Sequence, residues 1–206
     1  MSYSLNEVEA TAKRATRGAG FSWGLAEDAA KATRWLCAHD VDGVGHLADL
    51  LEQSDCSLHA PKSLDGVLAG EGDLCPLRTG CLLSDSAHLL TSHPMVIERV
   101  ASPVLLLPFA ALAARQLKTP VTLDCDGMTV CTDGHIVSAT ADWPAMAQTV
   151  TVTLGGDLPV SSVRKTRATP RPADWNALNR LAHKTYAPAT EESRLLGAGA
   201  GLSDND

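Results

Sequence analysis

The chain has no basic surplus. Over 206 residues, 17 Lys and Arg face 24 Asp and Glu, a formal charge of -7. Phosphate-rich partners are attracted by clustered positive charge, so a nucleic-acid role would need a local basic stripe. Only Arg164, Lys165, Arg167 and Arg171 form such a segment. They lack interleaved aromatics and read as a solvated loop that could help draw in a small anion. No long apolar run is present either. The longest, Val104 to Ala114, is interrupted by Pro108 and is far shorter than the roughly 20 residues of a membrane span. The opening Met1-Ser-Tyr-Ser-Leu-Asn-Glu7 has neither a basic region nor an apolar core. The expected location is therefore the cytoplasm, with no membrane partner.

Cys-x-x-Cys pairs are also missing, which removes the commonest zinc and redox signatures. Six cysteines are present, at 37, 56, 75, 81, 125 and 131. They read as reduced, mostly buried thiols rather than a disulfide framework, which belongs to short secreted chains. His88 and His93, five residues apart, are poorly placed on one helix face. The chain is predicted to hold no metal and no nucleotide cofactor.

What is present describes an ordinary globular protein, with 45% hydrophobic and 20% charged residues and a mean hydropathy of -0.01. A chain of this length buries roughly 70% of its unfolded surface, enough for one core without staples. One domain is expected over residues 1–206. Its parts are a helical segment (1–53), an irregular connection (54–99), a β-rich part (100–160), and a C-terminal helix with a Gly-rich tail (161–206).

Ser4 and Glu7 form a capping box for a first helix whose apolar residues are Leu5, Val8, Ala12 and Ala15. Gly18 and Gly20 end it. A second helix starts near Ser22, with Glu27 and Asp28 expected in its first turn, and a third covers Val44 to Gln53. Ser102 to Leu107 is a strand candidate, followed by a helix from Phe109 to Leu117. Three strands, Val121–Cys125, Met128–Thr132 and His135–Ala139, are separated by Asp126-Gly127 and Asp133-Gly134, which are strong hairpin signals. Two-residue loops would pair Cys125 with Met128, Leu123 with Val130, and Val130 with Val137. Cys125 and Cys131 then fall on opposite faces. Val150 to Leu154 adds a strand, and a final helix runs from an Asp174 cap to His183, burying Trp175, Leu178 and Leu181. The fold class is α+β: an N-terminal helical hairpin packed with an antiparallel β-meander and a C-terminal helix.

Candidate chemistry is sparse. Arg17-Gly-Ala-Gly-Phe-Ser-Trp-Gly24 precedes a helix but follows another helix, so it is no dinucleotide fingerprint. Its glycines, Gly18 and Gly20, with Arg17 and Trp23, could still receive a carboxylate or phosphate at a helix start. Cys75, in an expected loop beside Arg78, is a candidate nucleophile. Asp124 and Asp126 form an Asp-x-Asp pair that turn-making explains. Near the end, Tyr186, Ser193 and Arg194 put a phenol, a hydroxyl and a guanidinium close together. The Gly-rich tail is expected to be ordered and to pack near the Arg17–Glu27 turn, where Asp206 and the terminal carboxylate would be free to meet Arg17 when no ligand is bound.

Asn6-Glu-Val-Glu9, Arg17-Gly-Ala-Gly20, Trp23-Gly-Leu-Ala-Glu27, Arg34-Trp35, Cys75-Pro76 and the ending Tyr186-x-Pro188 to Asp206 together resemble a bacterial family of similar length. That family is known only as a domain of unknown function. The resemblance spans nearly the whole chain and implies that the Gly-rich tail belongs to the domain. It supplies no activity.

Two functional expectations follow. One is an enzyme acting on a small carboxylate or amide by acid–base chemistry. Arg17 and Arg194 would hold the anion, Tyr186 or Glu27 would move the proton, and Cys75 would be the nucleophile candidate. The other is a non-catalytic accessory or ligand-binding protein. A homo-oligomer is compatible with either.

Overall fold

The computed structural model describes all residues except 54–57, 65, 139–142, 160–163 and 187–206, and the backbone alone at 63 and 64. Four helices form one layer: α1 (Leu5–Gly18), α2 (Trp23–Ala38), α3 (Gly43–Gln53) and the C-terminal helix Pro172–His183. The capping box holds as expected. Ser4 Oγ accepts from the Glu7 N–H at 3.2 Å, and the Glu7 carboxylate accepts from the Ser4 N–H at 2.7 Å. Ser22 Oγ caps α2 by accepting from the Leu25 N–H at 3.3 Å. Glu27 and Asp28 lie beyond the first turn, which holds no acidic residue. The N-terminal dipole is therefore not their role.

The stretch expected to be irregular is largely structured. It contains β-strands Lys62–Leu64 and Val67–Ala69, helix α4 (Pro76–Asp85), and strand Met95–Ala101. Ser102 to Leu107 is not a strand. Ser102 is left-handed (φ 42°) and Pro103–Leu106 is a 3-10 turn running straight into α5 (Leu107–Leu117). Short buried apolar runs do not declare their period, which is why this one was ambiguous. Leu105, Leu106 and Leu107 are fully buried. They lie between the helical layer and the sheet, since α5 packs on α2 from one side and on the strands from the other.

With Tyr3–Ser4 as β1, the strands above become β2, β3 and β4. They are followed by β5 (Val121–Cys125), β6 (Met128–Thr132), β7 (Met146–Leu154) and β8 (Arg167–Ala168), and the C-terminal helix is α6. The main sheet has the order β2-β3-β4-β7-β5-β6, antiparallel except for β3–β4. The fold is α+β as expected, with N-terminal helices and a C-terminal helix, and the β5–β6 hairpin of the expected meander is flanked by β7, which lies between β4 and β5. The first hairpin is as read: Cys125 pairs with Met128 and Leu123 with Val130, around Asp126 (φ 51°) and Gly127 (φ 95°). Such paired positive φ values suit the twist of flanking strands.

The second turn differs. The Asp133 carboxylate accepts from the His135 and Ile136 N–H groups, both at 2.7 Å, and makes a wider loop. The predicted third strand shrinks to one bridge, and Val137 pairs with Thr132 instead of Val130. A slip of two residues keeps Val137 on the apolar face. Cys125 and Cys131 do lie on opposite faces of the hairpin. Asp174 is not the cap of α6. Arg171 is, and Asp174 in the first turn accepts its guanidinium at 2.7 and 3.1 Å. Trp175 is only partly buried, its ring stacked 3.9 Å from Tyr3.

β1 and β8 form a separate two-stranded ribbon, Tyr3 opposite Ala168 and Ser4 opposite Arg167. The ribbon lays the basic segment across the start of α1.

Candidate functional site

The Arg17–Glu27 turn comes together locally. Arg17 donates to the Phe21 carbonyl at 2.9 Å, and its guanidinium carbon lies 5.4 Å from the centre of the Trp23 ring. A cation over an indole face is attracted by the ring quadrupole, so the turn engages its own cation. Gly20 (φ 100°) completes it. Gly18 serves packing, because a β-carbon there would overlap the Leu181 carbonyl of α6. Glu27 sits between Lys13 at 3.2 Å and Lys31 at 3.1 Å. Hydrogen bonds from Lys31 and Lys13 hold its carboxyl below the usual range.

Tyr186 lies just past α6, and its hydroxyl accepts from Arg14, three residues from Arg17 on the surface of α1. Cys75 is not in a loop. It is the N-cap residue of α4 and is closed off from solvent, and burial pushes its thiol up despite the N–H groups of Leu77 and Arg78. Ser193, Arg194 and Asp206, with the Gly-rich tail, lie outside the described residues.

A more open concavity of about 600 Å³ lies elsewhere, between the start of α1, one side of α2 and the segment 164–166. Lys31, Arg34, Trp35 and Ala38 recur at helical spacing on α2 and form its floor. Ser4, Asn6 and Glu9 form one wall; Arg164, Lys165 and Thr166 form the other. The lining thus holds four cations and one carboxylate, and two of the cations also reach carboxylates outside it, Lys31 to Glu27 at 3.1 Å and Lys165 to Asp40 at 3.4 Å. The carboxylate of the lining, Glu9, pairs with Arg34 at 2.6 Å. Among the described residues Arg164 meets no carboxylate.

The basic wall is anchored at both ends. The Lys165 N–H donates to the Ala38 carbonyl at 2.8 Å, and Arg167 donates to the Ser2 hydroxyl and carbonyl, both at 2.7 Å. Trp35 is oriented by its indole N–H, 3.4 Å from the Gly134 carbonyl, and by the His39 ring at 3.9 Å.

The basic segment therefore does not act as one solvated loop. Arg167 and Arg171 are engaged by the ribbon and by Asp174, while Arg164 and Lys165 face the cleft. Guanidinium and ammonium groups converging on one concavity are suited to holding a carboxylate or phosphate, with Arg supplying a planar two-donor fork. The α2 stripe was not singled out from sequence. Its signal was there: two cations and an indole at positions 31, 34 and 35, one helical face.

Among the described residues no three His, Cys, Asp or Glu side chains are grouped to hold a metal ion, and no helix is long and apolar enough to cross a membrane. No curated protein matches the chain. The stretch containing α1, α2 and α3, residues 3–71, is similar to the family described as "Protein of unknown function (DUF3726)", whose model it matches.

Proposed function

We propose that this protein is a cytoplasmic binder of a small anionic metabolite, and that the cleft between α1, α2 and residues 164–166 is its site. One observation carries the reading: Lys31, Arg34, Arg164 and Lys165 converge on a single concavity, floored by Trp35, in a chain of net charge -7. Lys31, Arg34 and Lys165 each also pair with a carboxylate, Glu27, Glu9 and Asp40, at exposed positions where such pairs contribute little, and a bound anion would gain both charge neutralisation and directed hydrogen bonds. Free cysteines at 37, 75, 81, 125 and 131 fit a reducing compartment.

The acid–base enzyme reading has less support. Glu27 is committed to two lysines, Arg17 to its own turn, and the Cys75 thiol is buried and raised. The proposed role is therefore ligand binding rather than catalysis.

Calorimetric titration with di- and tricarboxylates and phosphate monoesters tests it, with Arg34→Gln, Arg164→Gln and Arg17→Gln alongside the unaltered protein. We expect each cleft variant to weaken binding by about tenfold or more, Arg17→Gln to leave it unchanged, and added salt to weaken it. Loss of binding in Arg17→Gln alone would move the site to the turn. Failure of every anion to bind would overturn the reading.

A further inference from the structure

We infer that the anion bound in this cleft carries a short aromatic or acyl arm, which lies in a second concavity on the other side of the same α2 stripe. The inference rests on the anion-site reading above. The second concavity, about 240 Å³, lies between α2 and α5. Its apolar lining comes from Ala32 and Trp35 on α2 and from Pro108, Phe109 and Leu112 on α5.

Lys31 and Trp35 line both concavities, so the two meet over one ammonium and one indole. The indole, held by its N–H to the Gly134 carbonyl and by the His39 ring against it, is a fixed wall shared by the two spaces. Leu112 is 39% exposed on a helix whose Leu107, Phe109, Ala110 and Ala111 are buried. A single exposed leucine is ordinary. Here it stands at the mouth of a concavity whose deeper apolar lining, Phe109 and Ala32, is buried and whose side is the partly buried Trp35. A concave apolar surface beside a few convergent polar groups is the usual character of a ligand site.

Size and charge narrow the class. A cavity of about 150 Å³ takes a benzene ring, so this space admits a phenyl group or a short acyl chain. Its charged members are Asp28, Arg115 and the shared Lys31, which already pairs with Glu27, so little positive charge is left over for a second anion. The ligand class is therefore a monopolar amphipath: an anionic head among Arg34, Arg164 and Lys165, and an uncharged arm passing Lys31 and Trp35.

The test is a homologous series of carboxylates, acetate, butyrate, hexanoate and octanoate, with 3-phenylpropionate. These are titrated calorimetrically at constant ionic strength, with citrate and inorganic phosphate as armless controls. Affinity should rise with chain length by up to about fourfold per methylene, levelling once the slot is filled. Leu112→Glu and the milder Leu112→Gln, both at an exposed position, should flatten that rise while citrate and phosphate bind as before. Arg34→Gln should weaken every member by a similar factor.

If the armless anions bind but the series is flat, the arm is wrong and the anion site stands. A steep series indifferent to both Leu112 variants would place the arm elsewhere and also overturn the inference. If no anion binds, with or without an arm, both proposals fall.

Discussion

Glu9 on α1 and Arg34 on α2 meet at 2.6 Å across the helical hairpin, on the edge of the basic cleft. The pair holds the two helices in register, and it also occupies the guanidinium fork that an incoming anion would use. Glu9→Gln should free Arg34 and tighten anion binding about two- to fivefold, as expected for an exposed ion pair of about 0.5–1 kcal/mol. Stability should fall by no more than that amount. Calorimetry and a thermal melt on the same sample check both.

Gly18 lets α1 press against α6, since any β-carbon there would overlap the Leu181 carbonyl. Alanine normally favours a helix over glycine by about 1 kcal/mol, so Gly18→Ala would stabilise α1 in isolation. In the folded protein the overlap should dominate and cost about 1–3 kcal/mol. A fall of several degrees in Tm is expected. A rise in Tm would show that α6 can shift without loss.

Asp126 does more than turn the chain. Its carboxylate accepts from the Gln148 N–H at 2.8 Å and the Thr149 N–H at 2.9 Å, tying the hairpin tip to β7. Asp126→Ala should cost about 1–3 kcal/mol, because two backbone donors lose their acceptor and a left-handed position loses a residue that tolerates it. Asp126→Asn, which keeps one acceptor oxygen, should restore part of that loss in urea unfolding.

Burial pushes the Cys37 thiol up to about 11, and the Cys81 and Cys125 thiols up to about 12, from an ordinary 9.0. A group whose folded pKa lies above its unfolded value favours the native state while protonated. That advantage is complete below about pH 9 and is lost as pH rises towards 11 to 12. Tm should therefore hold from pH 7 to 8.5 and then decline. The decline should be shallower in Cys125→Ala, measured against its own neutral-pH value. Peptide mapping after treatment with a thiol reagent should find the buried Cys75 labelled only when denaturant is added, ahead of which the half-buried Cys81 reacts.

Local signals were the most legible. The capping box at Ser4 and Glu7, the Ser22 cap and the Asp126-Gly127 hairpin each rest on bonds between residues close in the chain. Where the sequence misled, distant contacts had overridden local rules. Gly80 reads as punctuation yet lies inside α4, packed against the Phe109 ring. β4 was hidden because Arg99, with φ 51°, breaks its alternation midway and drops out of the pairing with β7. The insertion of β7 between β4 and β5 has no local signature at all.

The candidate site divides the same way. The Arg17–Trp23 contact is a neighbourly one and could be anticipated. The cleft joins positions 4–9, 31–38 and 164–166, and only the folded chain puts them together.

The β1–β8 ribbon has a kinetic consequence. Pairing Tyr3 with Ala168 closes nearly the whole chain into a loop, and the entropy of closing such a loop grows with its length. Contacts of this range tend to form late in folding. Arg164 and Lys165 reach the cleft through that closure and the likewise long-range Lys165–Ala38 bond, so ligand competence should lag behind the helical signal when the denatured protein is diluted into buffer. A chain cut off after residue 71 would retain the matched segment and yet present a site with only two of its three sides.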